Sequence, residues 1–487
     1  MKKNLWIFLQ VSLLLLIVNS TFAQPSEIKV KFKTFKSNDI YLGFHFGTNK
    51  YIKDTFQVNS KGIADIVLPE DTKGGIYLII TPDKNYFELI VAEPKISVET
   101  DTGDFVKNMK IIESAENKMF YEYLHFMQKE HENRIPLQTE YEKHKNNVDS
   151  AEMILAKVKV IDEKIQNYRK GIMEANPTLF FTKVLKAMDE PIGRDKLETE
   201  SDSAYSAYLY SFFQLHYFDN IDFTDDRILR TPIYEGKVDK FLDRLTIRQP
   251  DSIKYAAGRL IDKTLINKEI FKFTLIKVFN KYVNSKYMGM DAIAVYLIER
   301  YYLTDYADWV DSTQRQKLYD YLVKNSSNQI GMKAPELVMK DTSENYKSLH
   351  AIKSVYTILV FWDVTCGHCK KSMPELKKFI EKTPRDSFQV YSVYIGNDLK
   401  EWRRYLSEAK FPFIDVADPL NYNNFRTLYN VFSSPVIYLI DKDKKIAGKR
   451  LAVEQIESYV NTLEGRFDKV DRKVLQGEDD EEEDKEN

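Results

Sequence analysis

The sequence predicts a multi-domain protein: a small antiparallel β-sandwich, then an all-helical domain, then an α/β domain with a central mixed sheet. Three observations lead to this order. The chain has 487 residues, more than one ordinary domain holds. Short alternating runs separated by turn signals fill residues 27–112, whereas apolar residues then recur every three or four positions. Near the end, apolar β runs alternate with helical segments, which is typical of an α/β domain.

The predicted domain boundaries follow these changes of pattern. A leader precedes the β domain, and an acidic tail follows the α/β domain. The leader covers 1–23, the β domain 24–113, the helical domain 114–325, the α/β domain 326–467 and the tail 468–487.

The N-terminus predicts an export signal. Lys2 and Lys3 precede the apolar run 5–18, and Thr21-Phe-Ala23 supplies the small residues of a cleavage site, so the mature chain is expected to start near Gln24. The run is short for a spanning helix of about 20 residues, and a retained membrane anchor is the alternative. We therefore expect an exported chain with no transmembrane segment after signal cleavage.

Composition and charge narrow the class of protein. Hydrophobic residues make up 43% and charged residues 30% of the chain, which fits a folded soluble protein. The net charge is −2, but residues 478–487 hold eight acids and one lysine, a net of −7, so the rest carries about +5. The tail has no apolar residue to bury and is expected to be disordered. No basic stripe or recognition motif suggests nucleic acid as a partner.

The helical domain contains an aromatic-rich stretch at 205–218. Its aromatic residues are Tyr205, Tyr208, Tyr210, Phe212, Phe213, Tyr217 and Phe218. Such a stripe usually packs into a core, and an exposed groove that binds clients is the alternative.

Cys366 and Cys369 are the only cysteines of the chain. A disulfide between them closes a very small loop and adds little stability, which favours a chemical role. They follow the predicted strand Thr357–Trp362 and stand at the start of a predicted helix, where unpaired N–H groups stabilise a thiolate. Cys366 is expected to be the exposed nucleophile, and Cys369 the deeper thiol that resolves the mixed disulfide.

The residues around the cysteines support this redox role. His368 adds a donor that favours the thiolate, and Lys370 and Lys371 strengthen the positive field. A zinc site needs about four ligands, and this single pair with His368 offers too few. Covalent haem attachment needs a histidine directly after the second cysteine, where the chain has Lys370. No metal and no cofactor is predicted.

This part of the chain resembles the thioredoxin superfamily, in particular the TlpA-like thioredoxins of bacterial envelopes. The residues that carry the resemblance are Phe361-Trp362, Cys366-Gly-His-Cys369, Pro374, Gly331-Met-Lys-Ala-Pro-Glu-Leu337 and Ser434-Pro435. The resemblance implies a cis-proline at Pro435 beside the active site and a helix-plus-strand insertion at 397–418. It also implies that the backbone before this proline pairs with the client, with Trp362, Ser434 and Pro435 in contact with substrate.

The sequence departs from the family at three positions. Thr365 stands where a tryptophan is usual, Val360 replaces a buried acid, and Ser372 replaces a glutamate that some TlpA-like proteins have. The proton acceptor for Cys369 is therefore left open between Asp363 and Glu375.

A peroxidase is not predicted. Peroxiredoxins have a threonine three residues before the reactive cysteine and a proline four residues before that threonine. These positions hold Asp363 and Leu359 here.

We therefore expect a thiol–disulfide oxidoreductase in the periplasm of a Gram-negative bacterium. Its substrates would be protein thiols and disulfides, and its redox partner a membrane-bound electron donor or acceptor. The direction stays open, because most TlpA-like proteins are reductants whereas disulfide isomerases carry Gly-His between their cysteines. One alternative is a client-binding platform built from the β and helical domains with a weakly catalytic redox domain. Another is a redox sensor.

Overall fold

The computed structural model describes residues 27–36, 38–384 and 386–465. The predicted leader, the mature N-terminus near Gln24 and the acidic tail lie outside the described residues. Among the described residues, every helix is too short or too polar to span a bilayer.

The chain forms two compact units. Unit 1 takes the described residues up to Ile247 together with Arg259–Thr274, and unit 2 takes Arg248–Gly258 and the described residues from Leu275 onward. The predicted boundaries at 113 and 325 mark changes in secondary-structure type. The two units instead group residues by their contacts, so they leave those boundaries untested.

The N-terminal part of unit 1 consists of β-strands whose side chains alternate between solvent and core. In the first strand Ile28, Val30 and Phe32 are buried while the intervening charged residues are exposed. The strands are β1 Glu27–Phe32, β2 Asp39–Phe46, β3 Asn49–Gln57, β4 Ile63–Val67, β5 Gly75–Ile80, β6 Tyr86–Val91, β7 Lys95–Thr100 and β8 Lys110–Glu113.

These strands form two four-stranded sheets. Their orders are β4-β1-β7-β8 and β3-β2-β5-β6. Pairing is antiparallel as predicted, with one exception: β1 and β7 are parallel. The expectation of a wholly antiparallel arrangement is therefore wrong, because the chain leaves the first sheet for β5 and β6 and re-enters it beside β1 in the same direction.

Helices follow the strands, as the period of the apolar residues predicts. The first, Ala115–His144, continues through a polar, exposed stretch that contains Pro136. The helices up to residue 325 are α1 Ala115–His144, α2 Val148–Ala175, α3 Phe180–Met188, α4 Asp202–His216, α5 Ile233–Asp243, α6 Pro250–Thr264, α7 Lys268–Val283, α8 Asp291–Leu297 and α9 Ser312–Asn325.

The aromatic-rich stretch divides between core and surface. Tyr217 and Phe218, just after α4, are buried. No residue of α4 itself is fully buried. Its rings contact one another along the helix, with centroids 6.1 Å apart for Tyr205 and Tyr208 and 5.8 Å apart for Tyr208 and Phe212. Core packing therefore accounts for only the end of the stretch.

The C-terminal α/β domain of unit 2 is built on a seven-stranded mixed sheet of order β10-β9-β13-β12-β11-β14-β15. The central pairs β11–β12 and β12–β13 are parallel, and β11–β14 is antiparallel. Its elements are β9 Val338–Asp341, β10 Tyr346–Ser348, β11 Tyr356–Trp362, α10 Gly367–Lys382, β12 Phe388–Tyr394, α11 Leu399–Ala409, β13 Ile414–Ala417, α12 Phe425–Leu428, β14 Val436–Asp441, β15 Ile446–Lys449 and α13 Ile456–Leu463.

The helices before this domain pack against the edge of its sheet. Lys449 of β15 is 6% exposed, and its Nζ lies 2.5 Å from Oδ2 of Asp291 on α8. The Lys449 backbone N–H also donates to Sδ of Met288. Burial lowers the pKa of Lys449, and Asp291 opposes this effect. An ammonium enclosed in this way depends on its carboxylate partner.

We expect Asp291→Asn to lower the free energy of unfolding of unit 2 by about 3 kcal/mol, because it leaves the Lys449 ammonium buried without its counter-charge. Denaturant unfolding at pH 7, followed by tryptophan fluorescence, measures this, since Trp309, Trp362 and Trp402 all lie in unit 2. Glu381→Gln is the control: it removes an exposed i,i+4 pair with Lys377 and is expected to change stability by less than about 1 kcal/mol. Equal effects of the two substitutions would contradict the buried pair's role.

Candidate active site

The two cysteines lie where a central strand gives way to a helix. β11 ends at Trp362, three residues form a turn, and Cys366 is the N-cap of α10 in an extended conformation. An N-cap side chain lies close to backbone N–H groups that have no partner inside the helix, and these groups favour a negative charge on sulfur. The start of α10 is thus a suitable environment for a thiolate.

The two thiols differ in burial and in pKa. Both are free, but Cys369 is fully buried whereas Cys366 is partly exposed. Burial raises the pKa of the Cys369 thiol to about 11. Burial also acts to raise the pKa of Cys366, but hydrogen bonds with Ser434, Cys369 and the backbone of His368 outweigh it and hold this pKa below its usual value. Cys366 is therefore the thiol that ionises first and is open to a partner.

Asp363 holds the turn that precedes the cysteines. Its Oδ1 accepts hydrogen bonds from the backbone N–H (2.7 Å) and the hydroxyl (2.6 Å) of Thr365, and its backbone carbonyl accepts one from the Cys366 N–H. A Cβ at Gly396 would collide with Oδ2 of Asp363 and with the Tyr394 hydroxyl, so this glycine leaves room for the turn. Thr365, in place of the family's tryptophan, thus helps to fix the loop.

The charged residues near the motif lie at the surface. His368, Lys370 and Lys371 are exposed on the first turn of α10. Glu375 is exposed as well, on a helix whose buried residues are Cys369, Met373 and Leu376. Of the two acids left open as proton acceptors, Asp363 is engaged in the turn and Glu375 faces solvent.

Ser434 and Pro435 lie beside Cys366 although they are distant in sequence. The Ser434–Pro435 peptide bond is cis. The Cys366 Sγ donates to the Ser434 carbonyl at 3.4 Å. A polypeptide bound covalently at Cys366 would therefore pass this backbone, which is where strand-like pairing is expected.

Trp362 does not reach the surface. Its side chain is 1% exposed and packs against the rings of Tyr394, Tyr405 and Phe411, with centroids 5.8–6.3 Å away. The expectation that Trp362 contacts a client is wrong, because β11 is a central strand and the indole is covered by Tyr405 of α11. Its Nε1 donates instead to the Ser392 hydroxyl at 2.7 Å.

Ser392 connects Trp362 to a buried carboxyl group. Val360, Ser392 and Asp415 are register partners on β11, β12 and β13. Their side chains therefore share one face of the sheet, the face on which Trp362 and Cys369 belong to one apolar cluster. Asp415 accepts a hydrogen bond from Ser392, but burial raises its pKa to about 7. Its Oδ1 is enclosed and has no hydrogen-bond partner.

Sequence reasoning did not single out Ser392 or Asp415. The available signal was an acid at an inward position of the apolar run Phe413-Ile-Asp-Val-Ala417. This signal does not say which residues the acid meets, since that depends on the order of β11, β12 and β13.

No group of three or more His, Cys, Asp or Glu that could hold a metal ion occurs among the residues the structure describes.

We expect a brief treatment of the reduced native protein with iodoacetamide at pH 7 to alkylate Cys366 and leave Cys369 unmodified. Cys366 is partly exposed and has the lower pKa, whereas Cys369 is buried and has a pKa of about 11. Peptide mass spectrometry measures the two sites separately. The same treatment in denaturant should modify both, and equal modification in the native protein would contradict the burial difference.

We expect Asp415→Asn to stabilise unit 2 above pH 7, by roughly 2 kcal/mol, and to change it little near pH 4. The folded-state pKa of about 7 exceeds the unfolded value of about 3.9, so this group's contribution is favourable at low pH and is lost as pH rises to about 7. Denaturant unfolding between pH 4 and 8 measures the difference. Asp443→Asn, in an exposed turn, is the control and should show no such pH dependence.

Two sequence families match parts of the chain. The AhpC/TSA family matches residues 330–449, which include both cysteines and Ser434-Pro435. A domain of unknown function, DUF5106, matches residues 204–327, from α4 to just beyond α9.

Curated relatives match the C-terminal part. The thiol-disulfide oxidoreductase ResA of Bacillus thuringiensis subsp. konkukian is 26% identical over 153 residues, which are 29% of this chain and 83% of the relative. The thioredoxin-like protein YneN of Bacillus subtilis is 26% identical over 122 residues, 25% of this chain and 71% of the relative.

Solved structures are similar to parts of the chain. A domain of a possible thiol-disulfide isomerase from Cytophaga hutchinsonii has 34% identity and a TM-score of 0.28, covering 29% of this chain and 97% of that one. A thioredoxin-like protein from Bacteroides caccae has 20% identity and a TM-score of 0.41, covering 56% of this chain and 98% of that one.

The segment with the redox motif, residues 330–449, is therefore a thioredoxin-like domain of the AhpC/TSA family.

Proposed function

We propose that this protein is a thiol–disulfide oxidoreductase that exchanges disulfides with client polypeptides through Cys366 and Cys369. The observation that carries the proposal is the asymmetry of the pair. A partly exposed thiol of lowered pKa lies 3.4 Å from the Ser434 carbonyl, and a buried thiol of raised pKa follows one helical turn later. The matched relative named as a thiol-disulfide oxidoreductase supports this activity. Asp363 and Leu359, in place of the peroxiredoxin threonine and proline, favour disulfide exchange over peroxide reduction.

The exchange proceeds in two steps. The Cys366 thiolate attacks one sulfur of a client disulfide, forming a bond from its Sγ to that sulfur and releasing the other client sulfur as a thiolate. The Cys369 thiol then passes its proton to solvent, and its thiolate attacks Cys366 Sγ. This breaks the bond between Cys366 and the client, forms the Cys366–Cys369 disulfide and releases the second client sulfur as a thiolate. Two electrons pass from the protein to the client, and the reverse sequence oxidises a client dithiol.

The residues around Cys366 have distinct roles in this scheme. His368, exposed on the first turn of α10, acts as a donor that favours the Cys366 thiolate. The backbone of Ser434, fixed by Pro435, holds the client strand beside the sulfur. The direction remains open between reduction and isomerisation, and the reduction potential decides it.

The cellular setting is part of the proposal. The apolar leader at 5–18 and its small-residue cleavage site support export to the periplasm of a Gram-negative bacterium. A dithiol that reduces clients there must be re-reduced, and one that oxidises them must be re-oxidised, which supports a membrane-bound electron donor or acceptor as partner.

We propose the same order of domains along the chain that the sequence predicts: a β domain, a helical domain and the thioredoxin-like domain. Strands from both N-terminal sheets, for example through Val30 of β1 and Leu42 of β2, contribute to one apolar cluster. This shared core supports a β-sandwich over 24–113, and residues of the first helices, such as Phe120 and Phe181, complete the same cluster. The proposed helical domain then covers 114–325 and the thioredoxin-like domain 326–467.

A second candidate function is a client-binding platform with a weakly catalytic redox domain. The observation that favours it is α4, whose aromatic rings line the helix without being fully buried.

We expect the mature protein to catalyse reduction of insulin by dithiothreitol and Cys366→Ser to abolish this activity, because the attacking sulfur is gone. Cys369→Ser should instead accumulate a mixed disulfide with insulin, visible as a higher-mass band on non-reducing gels, since the resolving sulfur is missing. If neither the wild type nor the variants catalyse insulin reduction, the result favours the client-binding platform instead.

The reduction potential of the couple, measured in glutathione buffers, then gives the direction. A value near about −270 mV indicates a reductant, and one between about −180 and −120 mV an isomerase or oxidant.

A further inference from the structure

An exposed aromatic side chain stands at the edge of the active site. Phe432 is 62% exposed, although Tyr429 and Val431 before it are fully buried and anchor the loop between α12 and β14. Ser434, whose carbonyl accepts from Cys366, is two residues further on. Aromatic side chains are enriched in protein–protein interfaces, and this ring lies on an anchored loop two residues from the carbonyl that contacts Cys366.

The end of α9 holds this loop in place. The Asn430 side-chain amide donates to Oδ1 of Asn325 at 3.0 Å. Ser327 and Asn328 both donate from their side chains to the Leu428 carbonyl, at 2.9 and 3.0 Å. Asn325 and Asn328 are buried, and satisfied buried hydrogen bonds of this kind favour a single loop conformation.

The same helix places a cation over the exposed ring. Lys324 Nζ lies 4.6 Å from the centroid of Phe432, within the range of a cation–π contact. Lys324 and Asn325 belong to the segment that matches the domain of unknown function, so residues outside the thioredoxin-like domain help to shape the surface beside Cys366.

The chemistry at Cys366 fixes what can occupy this surface. During exchange a client cysteine is bonded to Cys366 Sγ, about 2 Å away. The client chain then passes the Ser434 carbonyl, which is 3.4 Å from the same sulfur. Two residues of extended chain span at most about 7 Å. The client residues two or three positions from its cysteine are therefore within reach of Phe432.

We propose that Phe432, held by α9 through Lys324 and Asn325, is a client-recognition surface that selects polypeptide disulfides with a large apolar side chain two or three residues from the attacked cysteine. This inference rests on the proposed disulfide exchange and assigns the helical segment a part in substrate selection.

The test compares two disulfide substrates with the pre-reduced full-length mature protein. One is a short peptide with phenylalanine two residues from a cysteine that is disulfide-linked to glutathione. The other is hydroxyethyl disulfide, which has no residues that could reach Phe432. We expect Phe432→Ser to lower the ratio of the peptide rate to the hydroxyethyl disulfide rate about five-fold or more, and Phe432→Leu to keep it within about two-fold of wild type.

A matched control exists on the far edge of the sheet. Tyr346 of β10 is 70% exposed, and Lys340 Nζ lies 5.6 Å from its ring. Tyr346→Ser removes an equally exposed aromatic ring beneath a lysine and should leave the ratio at the wild-type value. A peptide with serine in place of phenylalanine should show a ratio that Phe432→Ser does not change.

The outcomes separate the inference from the function on which it rests. If the wild type exchanges neither substrate, the proposed function fails. If the wild type exchanges both and Phe432→Ser keeps the wild-type ratio, the recognition surface is overturned. Should Phe432→Ser fail to fold, Phe432→Gln makes the same comparison. Asn325→Ala, which removes the Asn430 hydrogen bond between the loop and α9, is expected to lower the ratio about three-fold, and an unchanged ratio would overturn the part assigned to the helix.

Discussion

The unequal burial of two cysteines one helical turn apart is the constraint on which the redox site depends. The N-cap position leaves Cys366 among free backbone N–H groups at the surface, whereas the next inward position of α10 puts Cys369 in the apolar cluster. The two thiols therefore have different pKa values: the pKa of Cys366 is lowered from its usual value, and that of Cys369 is raised to about 11. A partly exposed thiol of lowered pKa and an enclosed thiol of raised pKa follow from these two positions.

The turn before the cysteines is held from two sides. Within the turn itself, Thr365 donates hydrogen bonds to the Asp363 carboxylate. On the strand before it, the Trp362 indole donates a hydrogen bond to the Ser392 hydroxyl, and Ser392 donates one to Asp415. Burying the Asp415 carboxyl beside Ser392 costs free energy when the carboxyl is ionised, because the apolar surroundings disfavour its charge. The Asp415 carboxyl, whose pKa burial raises to about 7, is thus linked through Ser392 to the Trp362 indole beside the loop.

The thioredoxin-like domain is not self-contained within unit 2. Lys449 at the sheet edge has its counter-ion on α8, and the loop before Ser434 has hydrogen-bond partners at the end of α9. Both contacts are largely buried, so removing the helices would expose a charge partner and several satisfied amides. This dependence gives a physical reason why the helical segment accompanies the redox domain, whichever clients it serves.

The sequence by itself determined the local chemistry: strand, turn and helix around Cys366-Gly-His-Cys369, and the change from alternating to helical periodicity. These depend on neighbours within a few residues, which the sequence displays directly. Only the tertiary structure decided that Trp362 is enclosed, that Asp415 lies on the face of Cys369, and that α9 meets the loop of Phe432. Each of these depends on strand order or on helix docking between residues tens of positions apart, and no local pattern encodes such pairings.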